Sequence, residues 1–244
     1  MNIIVTENFA KTCERAADMI GDVIRNKPDA RLGLATGSTA LGVYPYLIAA
    51  NQAGKLDFSR VITVNLDEYV GLPADHPQSY RRFMDENLFD HINIDKKNTV
   101  VAKGTGDIDA NVKAFREAIA EKPIDVQLLG IGVDGHVGFN EPGVVLYDGA
   151  HVEELDDSTI DANARFFADR SEVPTRAISM GMGDILRAKK LLLLATGENK
   201  AEAMKGLLLN EELDVQNPAT LVKTHPDVTV IIDRALADCI GYKA

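Results

Sequence analysis

Val126-Gln-Leu-Leu-Gly-Ile-Gly-Val-Asp-Gly-His-Val-Gly-Phe-Asn-Glu-Pro142 reads as a buried strand that breaks into a glycine-rich loop. The apolar run Val126–Leu129 supplies the strand. The glycines after it let the backbone turn tightly and approach a ligand closely. Asp134, His136, Asn140 and Glu141 then follow in quick succession. A histidine bracketed by two carboxylates is a proton-transfer group whose charge and orientation its neighbours set. The combination reads as a catalytic loop at the end of a buried strand.

Working outward, further runs rich in Val, Ile and Leu lie at Ile3–Val5, Leu32–Ala35, Val61–Val64, Leu191–Ala195 and Val228–Ile232. Helix-like segments fall between or after them, at Phe9–Arg25, Thr39–Ala50, Ser79–Phe89, Ile108–Ala120, Asn199–Leu209 and Asp233–Asp238. Strand and helix in alternation imply a mostly parallel sheet covered on both faces. The expected fold is α/β, a Rossmann-like three-layer α/β/α arrangement. With no Pro/Ser-rich linker or low-complexity stretch, residues 1–244 read as a single domain. The segment from Val144 to Ser171 breaks the alternation and reads as a lid-like insertion at the sheet edge.

The 244 residues suffice for a sizeable core, and 45% hydrophobic with 26% charged residues is ordinary for a globular chain. A formal net charge of -11 argues against nucleic acid or an anionic membrane as partner. An anionic substrate is compatible with it if the positive contacts are few and local. Cys13 and Cys239 have no CxxC or zinc spacing and read as free thiols in a reducing compartment. The first residues carry no basic segment followed by a long apolar stretch, and no apolar run is long enough for a bilayer. The expected location is the cytoplasm.

Ligands of open parallel sheets sit beyond the carboxyl ends of the strands. Polar clusters stand at four such ends. Thr36-Gly-Ser-Thr39 offers hydroxyls and the free amides of a helix start, which suit phosphate; a plain N-cap by Ser38 or Thr39 fits equally. It matches neither GxGxxG nor a Walker loop. Asp67 and Glu68 follow Val61–Val64, either at the sheet rim or in a site. Neighbours in an extended chain point to opposite sides, so one of the two faces a ligand. Lys200, at a helix start, and Arg165 are candidate cations for an anion, although each alone fits a solvated side chain. The pair Leu34-Ala-Thr-Gly37 and Leu194-Ala-Thr-Gly197 repeats one strand-to-helix turn, either by shared turn chemistry or by duplication. His136 has no second His or Cys at zinc spacing and no GxSxG serine, which leaves acid–base work on a small phosphorylated molecule.

Together these motifs resemble the glucosamine-6-phosphate deaminase family. The residues carrying the resemblance are Leu34–Thr39, Val64-Asn-Leu-Asp-Glu-Tyr-Val-Gly-Leu-Pro73, His76–Tyr80 and Gly132–Pro142. Ala162–Phe167, Met180–Gly183, Ala195–Ala201 and Leu221–Pro226 continue it in order over nearly the whole chain. An Asp-Gly-His triplet after a strand also occurs in 6-phosphogluconolactonases. Phe139–Pro142 combined with Asp67–Tyr69 is the pattern of the deaminases.

The resemblance implies conversion of glucosamine 6-phosphate and water to fructose 6-phosphate and ammonium, without metal or organic cofactor, in amino-sugar catabolism. It assigns Asp67 as the base that moves the C2 proton to C1, and His136 as the group that opens the pyranose ring. Asp134 and Glu141 orient that imidazole. Thr36, Gly37, Ser38, Thr39, Arg165 and Lys200 grip the phosphate. The expected partner is a small sugar phosphate, with neither nucleic acid nor membrane.

Past Pro142 the chain departs from the family pattern of serines followed by Ser-Arg-Thr, reading Gly143-Val-Val-Leu-Tyr-Asp-Gly-Ala150. In allosteric hexameric members a serine and basic residues here hold the phosphate of N-acetylglucosamine 6-phosphate. Val144, His151 and Glu153 occupy those places. The activator site is therefore expected to be absent, and the chain to be a monomer or small homo-oligomer. Two other readings differ in what they need: a phosphorylated-lactone hydrolase has no use for Asp67, and a sugar-phosphate sensor would carry a basic helix-turn-helix.

Overall fold

The computed structural model describes residues 1–243, so residue 244 of the expected domain lies outside the described residues. The chain opens with β1 (Asn2–Thr6), α1 (Phe9–Asn26), β2 (Arg31–Leu34) and α2 (Ser38–Gln52). Next come β3 (Ile62–Asn65), β4 (Asp67–Tyr69), α3 (Tyr80–Asn87), β5 (Thr99–Val100), α4 (Ile108–Ala120) and β6 (Val126–Leu129). Then follow β7 (His151–Glu154), α5 (Asp157–Ala164), β8 (Arg176–Ser179) and α6 (Met182–Leu186). The chain closes with β9 (Leu191–Ala195), α7 (Ala201–Leu208), β10 (Val228–Asp233) and α8 (Arg234–Ile240).

Seven strands form one parallel sheet in the order β1-β10-β9-β6-β2-β3-β5. Every residue of β2, β6, β9 and β10 is buried, which requires helices on both faces and gives the three-layer α/β/α arrangement. α1 illustrates how a helix enters this core. The side chain of Asn8 caps it by accepting from the Lys11 amide at 3.0 Å, and Cys13, Ala16, Ala17, Ile20 and Ile24 form its buried stripe. Burying each of the two isoleucines contributes about 1.5–3 kcal/mol.

The strand order reverses beside β2. From there β3 and β5 extend one way, while β6, β9 and β10 extend the other. This switch point opens a crevice between the carboxyl ends of β2 and β6, where open α/β sheets bind ligands. Thr36–Thr39 leaves β2 and the Asp134–Glu141 loop leaves β6, so the two motifs meet there. The repeated turns after β2 and β9 share one backbone shape, with Gly37 at φ 91° and Gly197 at φ 85°. Both lie in the left-handed region that glycine adopts without a Cβ penalty.

Two parts differ from the sequence reading. Asp67–Tyr69 is a short strand rather than a loop, and with β8 and β7 it makes a second, antiparallel sheet in the order β4-β8-β7. The Val144–Ser171 segment is not wholly irregular: it contributes β7 to that sheet and then α5. Strands of three or four residues with long-range partners leave no period in the sequence to read. Helix ends moved by a few residues, with Ser79 and Asp233 acting as N-caps of α3 and α8 through their side chains.

Candidate active site

The crevice is a cleft of about 220 Å³ lined by Thr36–Thr39, Asp67, Tyr80, Asp134, His136, Gly138, Phe139, Ser158, Thr159, Asn163, Arg165 and Lys200, among others. Of the residues expected from sequence, only Glu141 stands outside its lining, buried behind the imidazole. Tyr80, Ser158, Thr159 and Asn163 had no assigned role. Tyr80 closes the His76–Tyr80 motif and Asn163 lies within Ala162–Phe167, but Ser158 and Thr159 had no sequence signal, because α5 is brought to the cleft by tertiary packing.

The Thr36–Thr39 turn does not act as a side-chain N-cap. Gly37 is the cap residue of α2 and no side chain caps the helix, so neither Ser38 nor Thr39 is used that way. The hydroxyl-bearing residues line the cleft beside uncapped helix amides, an arrangement that attracts phosphate. Lys200, from the turn after β9, and Arg165, at the end of α5, line the same cleft. Burial and the neighbouring Arg165 charge hold the Lys200 ammonium below its usual proton affinity, with Asp134 opposing them. An anion between the two cations would relieve that repulsion.

His136 is held from one side. Its Nδ1 lies 2.8 Å from Asp134 Oδ1 and 3.5 Å from Glu141 Oε2. Its backbone is fixed too: the His136 amide donates to Asp134 Oδ1 at 3.1 Å and its carbonyl accepts from Gly132 at 2.9 Å. Burial alone would lower its pKa, but the Asp134 contact and the Glu141 charge outweigh burial and leave it raised. Asp134 moves the other way: burial would raise it, and His136 brings it below the usual carboxylate range. Glu141 is raised by burial, with His136 opposing. Both its carboxylate oxygens lack a hydrogen-bond partner among the described residues, so the imidazole is its main compensation. These three side chains also place one donor atom each within 4.8 Å of one another, the one such trio among the described residues.

Asp67 enters the cleft as the first residue of β4 and is 6% exposed. Burial, reinforced by the charge of Glu68 and opposed by His136, pushes its carboxyl up to about 7. Glu68 points away, as strand alternation requires. Its Oε1 accepts from the Tyr69 and Tyr80 amides and its Oε2 from the Arg81 amide, each at 2.9 Å. Gly138, at φ 61°, stands over Asp67, where a Cβ would lie 3.6 Å from Oδ2 and 3.1 Å from Ser179 Oγ. A Cβ there would rest in van der Waals contact with the Asp67 carboxylate and press on the Ser179 hydroxyl.

At the activator position of the hexameric members, Val144 is 90% exposed and His151 Nε2 lies 2.8 Å from Glu153 Oε2. The Glu153 carboxylate thus occupies the His151 imidazole, and the Val144 side chain offers no donor. The remaining histidines contact backbone: His225 Nε2 lies 2.7 Å from the Ala188 carbonyl, and His91 Nε2 2.8 Å from that of Glu86. His76 Nδ1 accepts from the Gln78 amide at 3.1 Å. No described helix is long and apolar enough to cross a membrane.

Residues 6–231 match the family described as glucosamine-6-phosphate isomerases/6-phosphogluconolactonase. The chain is 48% identical over 242 residues to a glucosamine-6-phosphate deaminase of Thermoanaerobacter pseudethanolicus, covering 98% of this chain and 95% of that one. It is 47% identical over 239 residues to one of Clostridium perfringens, covering 97% and 98%. A solved structure of a monomeric glucosamine-6-phosphate deaminase superposes with a TM-score of 0.95 at 40% identity, covering 98% of this chain and all of that one. The chain belongs to the glucosamine-6-phosphate isomerase/6-phosphogluconolactonase family.

Proposed function

We propose that the chain converts glucosamine 6-phosphate and water to fructose 6-phosphate and ammonium. The observation that carries this reading is Asp67: a buried carboxylate, pushed up to about 7, in the same cleft as His136 and two cations. A base with that proton affinity takes and returns protons near neutral pH. The names of the relatives at 48% and 47% identity support the same activity.

The chemistry divides between the two cleft walls. Thr36–Thr39, Arg165 and Lys200 hold the phosphate, so that binding energy far from the reacting carbons positions C1 and C2. His136, oriented by Asp134 and Glu141, takes the C1 hydroxyl proton and delivers one to the ring oxygen as the bond between C1 and that oxygen breaks, leaving a C1 aldehyde. Asp67 then removes the C2 proton, giving an enolamine, and returns it to C1. Water adds to the resulting C2 imine, and the nitrogen leaves as ammonium. A lactone hydrolase would use His136 to activate water but has no task for Asp67.

We take the chain to act as a monomer or small homo-oligomer without the allosteric activator site. The His151–Glu153 pair and the monomeric relative at 40% identity support this. The test of function is incubation with glucosamine 6-phosphate, following ammonium and fructose 6-phosphate together. Both are expected in equal amounts; no product above the enzyme-free blank sinks the reading.

A further inference from the structure

Glu68 is a buried carboxylate that the chemistry above leaves without a task. It is 2% exposed, yet among the described residues it makes no ion pair: the Arg81 guanidinium beside it turns to Asp85, at 2.9 Å and 3.1 Å. What it binds instead is the start of α3. The first amides of a helix have no partner within the helix. Glu68 takes those of Tyr80 and Arg81, and Ser79 Oγ takes that of Arg82 at 3.1 Å. Glu68 lies twelve positions before Tyr80 in the sequence, so this bond ties α3 to the strand that carries Asp67.

The helix end so fixed carries a cleft residue. The Tyr80 ring lines the cleft, lies 4.9 Å from the Tyr69 ring and stacks on Phe139 with planes 7° apart. Phe139 in turn belongs to the His136 loop. Glu68 thus reaches the site by two routes: through Tyr80, and through its charge on the residue next to Asp67.

We propose that Glu68 is a positioning residue, whose carboxylate pins Tyr80 against the His136 loop and stands as a second buried acid beside Asp67. The proposal rests on the reading of Asp67 as the base. The other groups that interact with Asp67 are His136 from the loop after β6, Tyr44 from α2, Tyr69 from β4 and Tyr80 from α3. The three phenols are held well above neutrality by burial and stay uncharged. Only His136 and Glu68 can therefore carry charge against Asp67, in opposite directions, and burial pushes the Glu68 carboxyl up to about 7 as well, so its charge bears on Asp67 as it ionises through that range.

Two substitutions separate the routes. Glu68→Gln keeps the length of the side chain and removes the charge, at the cost of one of the two oxygens that accept the three amides, so its readout is the position of the acid limb and not kcat. Glu68→Asp keeps the charge and withdraws it from the α3 amides. Both are compared with the wild type in kcat/KM against pH, after wild-type turnover of glucosamine 6-phosphate and loss of turnover in Asp67→Asn have been established. If those two controls fail, the reading of the function is wrong and not the role of Glu68.

With the controls in place, Glu68→Gln is expected to move the acid limb to lower pH by about one unit, because a like charge beside Asp67 is gone. Glu68→Asp is expected to leave the limb in place and lower kcat about tenfold, with KM little changed, because Tyr80 is released. An acid limb that stays put in Glu68→Gln overturns the proposal whatever happens to kcat. So does a Glu68→Asp variant with wild-type kcat. If Glu68→Gln fails to fold, the kcat and KM of Glu68→Asp carry the test.

Discussion

The backbone amide of Phe139 donates to the hydroxyl of Ser179 at 3.0 Å. Ser179 lies opposite Asp67 in the β4–β8 pairing, so this one bond joins the His136 loop to the strand of the proposed base. The two groups that handle the sugar come from different sheets, and their separation depends on links of this kind. Asn140 adds a second, with its Nδ2 donating to the carbonyls of Val137 at 2.8 Å and Met180 at 2.9 Å.

Ser179→Ala removes the acceptor and leaves a buried amide unsatisfied. A loss of about 1–3 kcal/mol in folding stability is expected, together with reduced kcat. Denaturant unfolding and steady-state kinetics read the two effects; unchanged values in both would mean the link positions nothing.

Asp67→Asn keeps the shape of the side chain and cannot accept the C2 proton. Exchange of that proton with solvent is expected to vanish while phosphate binding persists. Exchange at the wild-type rate in this variant would show that another group is the base.

Lys200→Ala removes one of two cations from the phosphate site. Losing a charge-assisted bond of about 1.5–3 kcal/mol raises KM roughly ten- to a hundredfold, with a smaller effect on kcat. A KM equal to that of the wild type would place the phosphate elsewhere.

The pH dependence follows from Asp67. Its carboxyl is pushed up to about 7 from an ordinary 3.8, so the folded protein holds a proton there that the unfolded chain has lost. Stability from this group is complete below about pH 4 and is lost as pH rises through about 7. Activity runs the other way, because the base must be ionised: kcat/KM is expected to fall about tenfold per unit below its acid limb near neutrality. Asp67→Asn should therefore gain stability over the wild type at pH 8 and show little difference at pH 4. Equal gains at both values would rule out a proton-linked origin.

With Val144 exposed and His151 paired to Glu153, N-acetylglucosamine 6-phosphate is expected to leave initial rates unchanged at low substrate, and substrate curves to be hyperbolic. Activation by that compound, measured in the same ammonium assay, would restore a regulatory site to this edge of the molecule.

Most of the parallel sheet was legible before the structure because β2, β6, β9 and β10 are runs of four to six residues buried on both faces, whereas β5, with two residues, left no run to read. The glycine-rich loop was legible for a related reason: Gly135 and Gly138 take up positive φ, which few other residues tolerate. The second sheet was not. β4 has three residues, Asp67, Glu68 and Tyr69, whose pattern matches a polar loop, and only pairing with β8 makes it extended.

By itself the sequence determined the alternation of the main strands and helices, the turns that follow β2 and β6, and the short inventory of acids, cations and one histidine suited to sugar-phosphate chemistry. Local backbone preference and burial periodicity settle such things, and both act over a few residues. Only the tertiary structure decided that Asp67 and not Glu68 faces the cleft. It likewise put Glu141 behind the imidazole, Tyr80 in the wall and α5 against the phosphate grip. Those outcomes depend on contacts between residues far apart in the chain, and on burial that moves the Asp67 carboxyl to about 7, which no local pattern encodes.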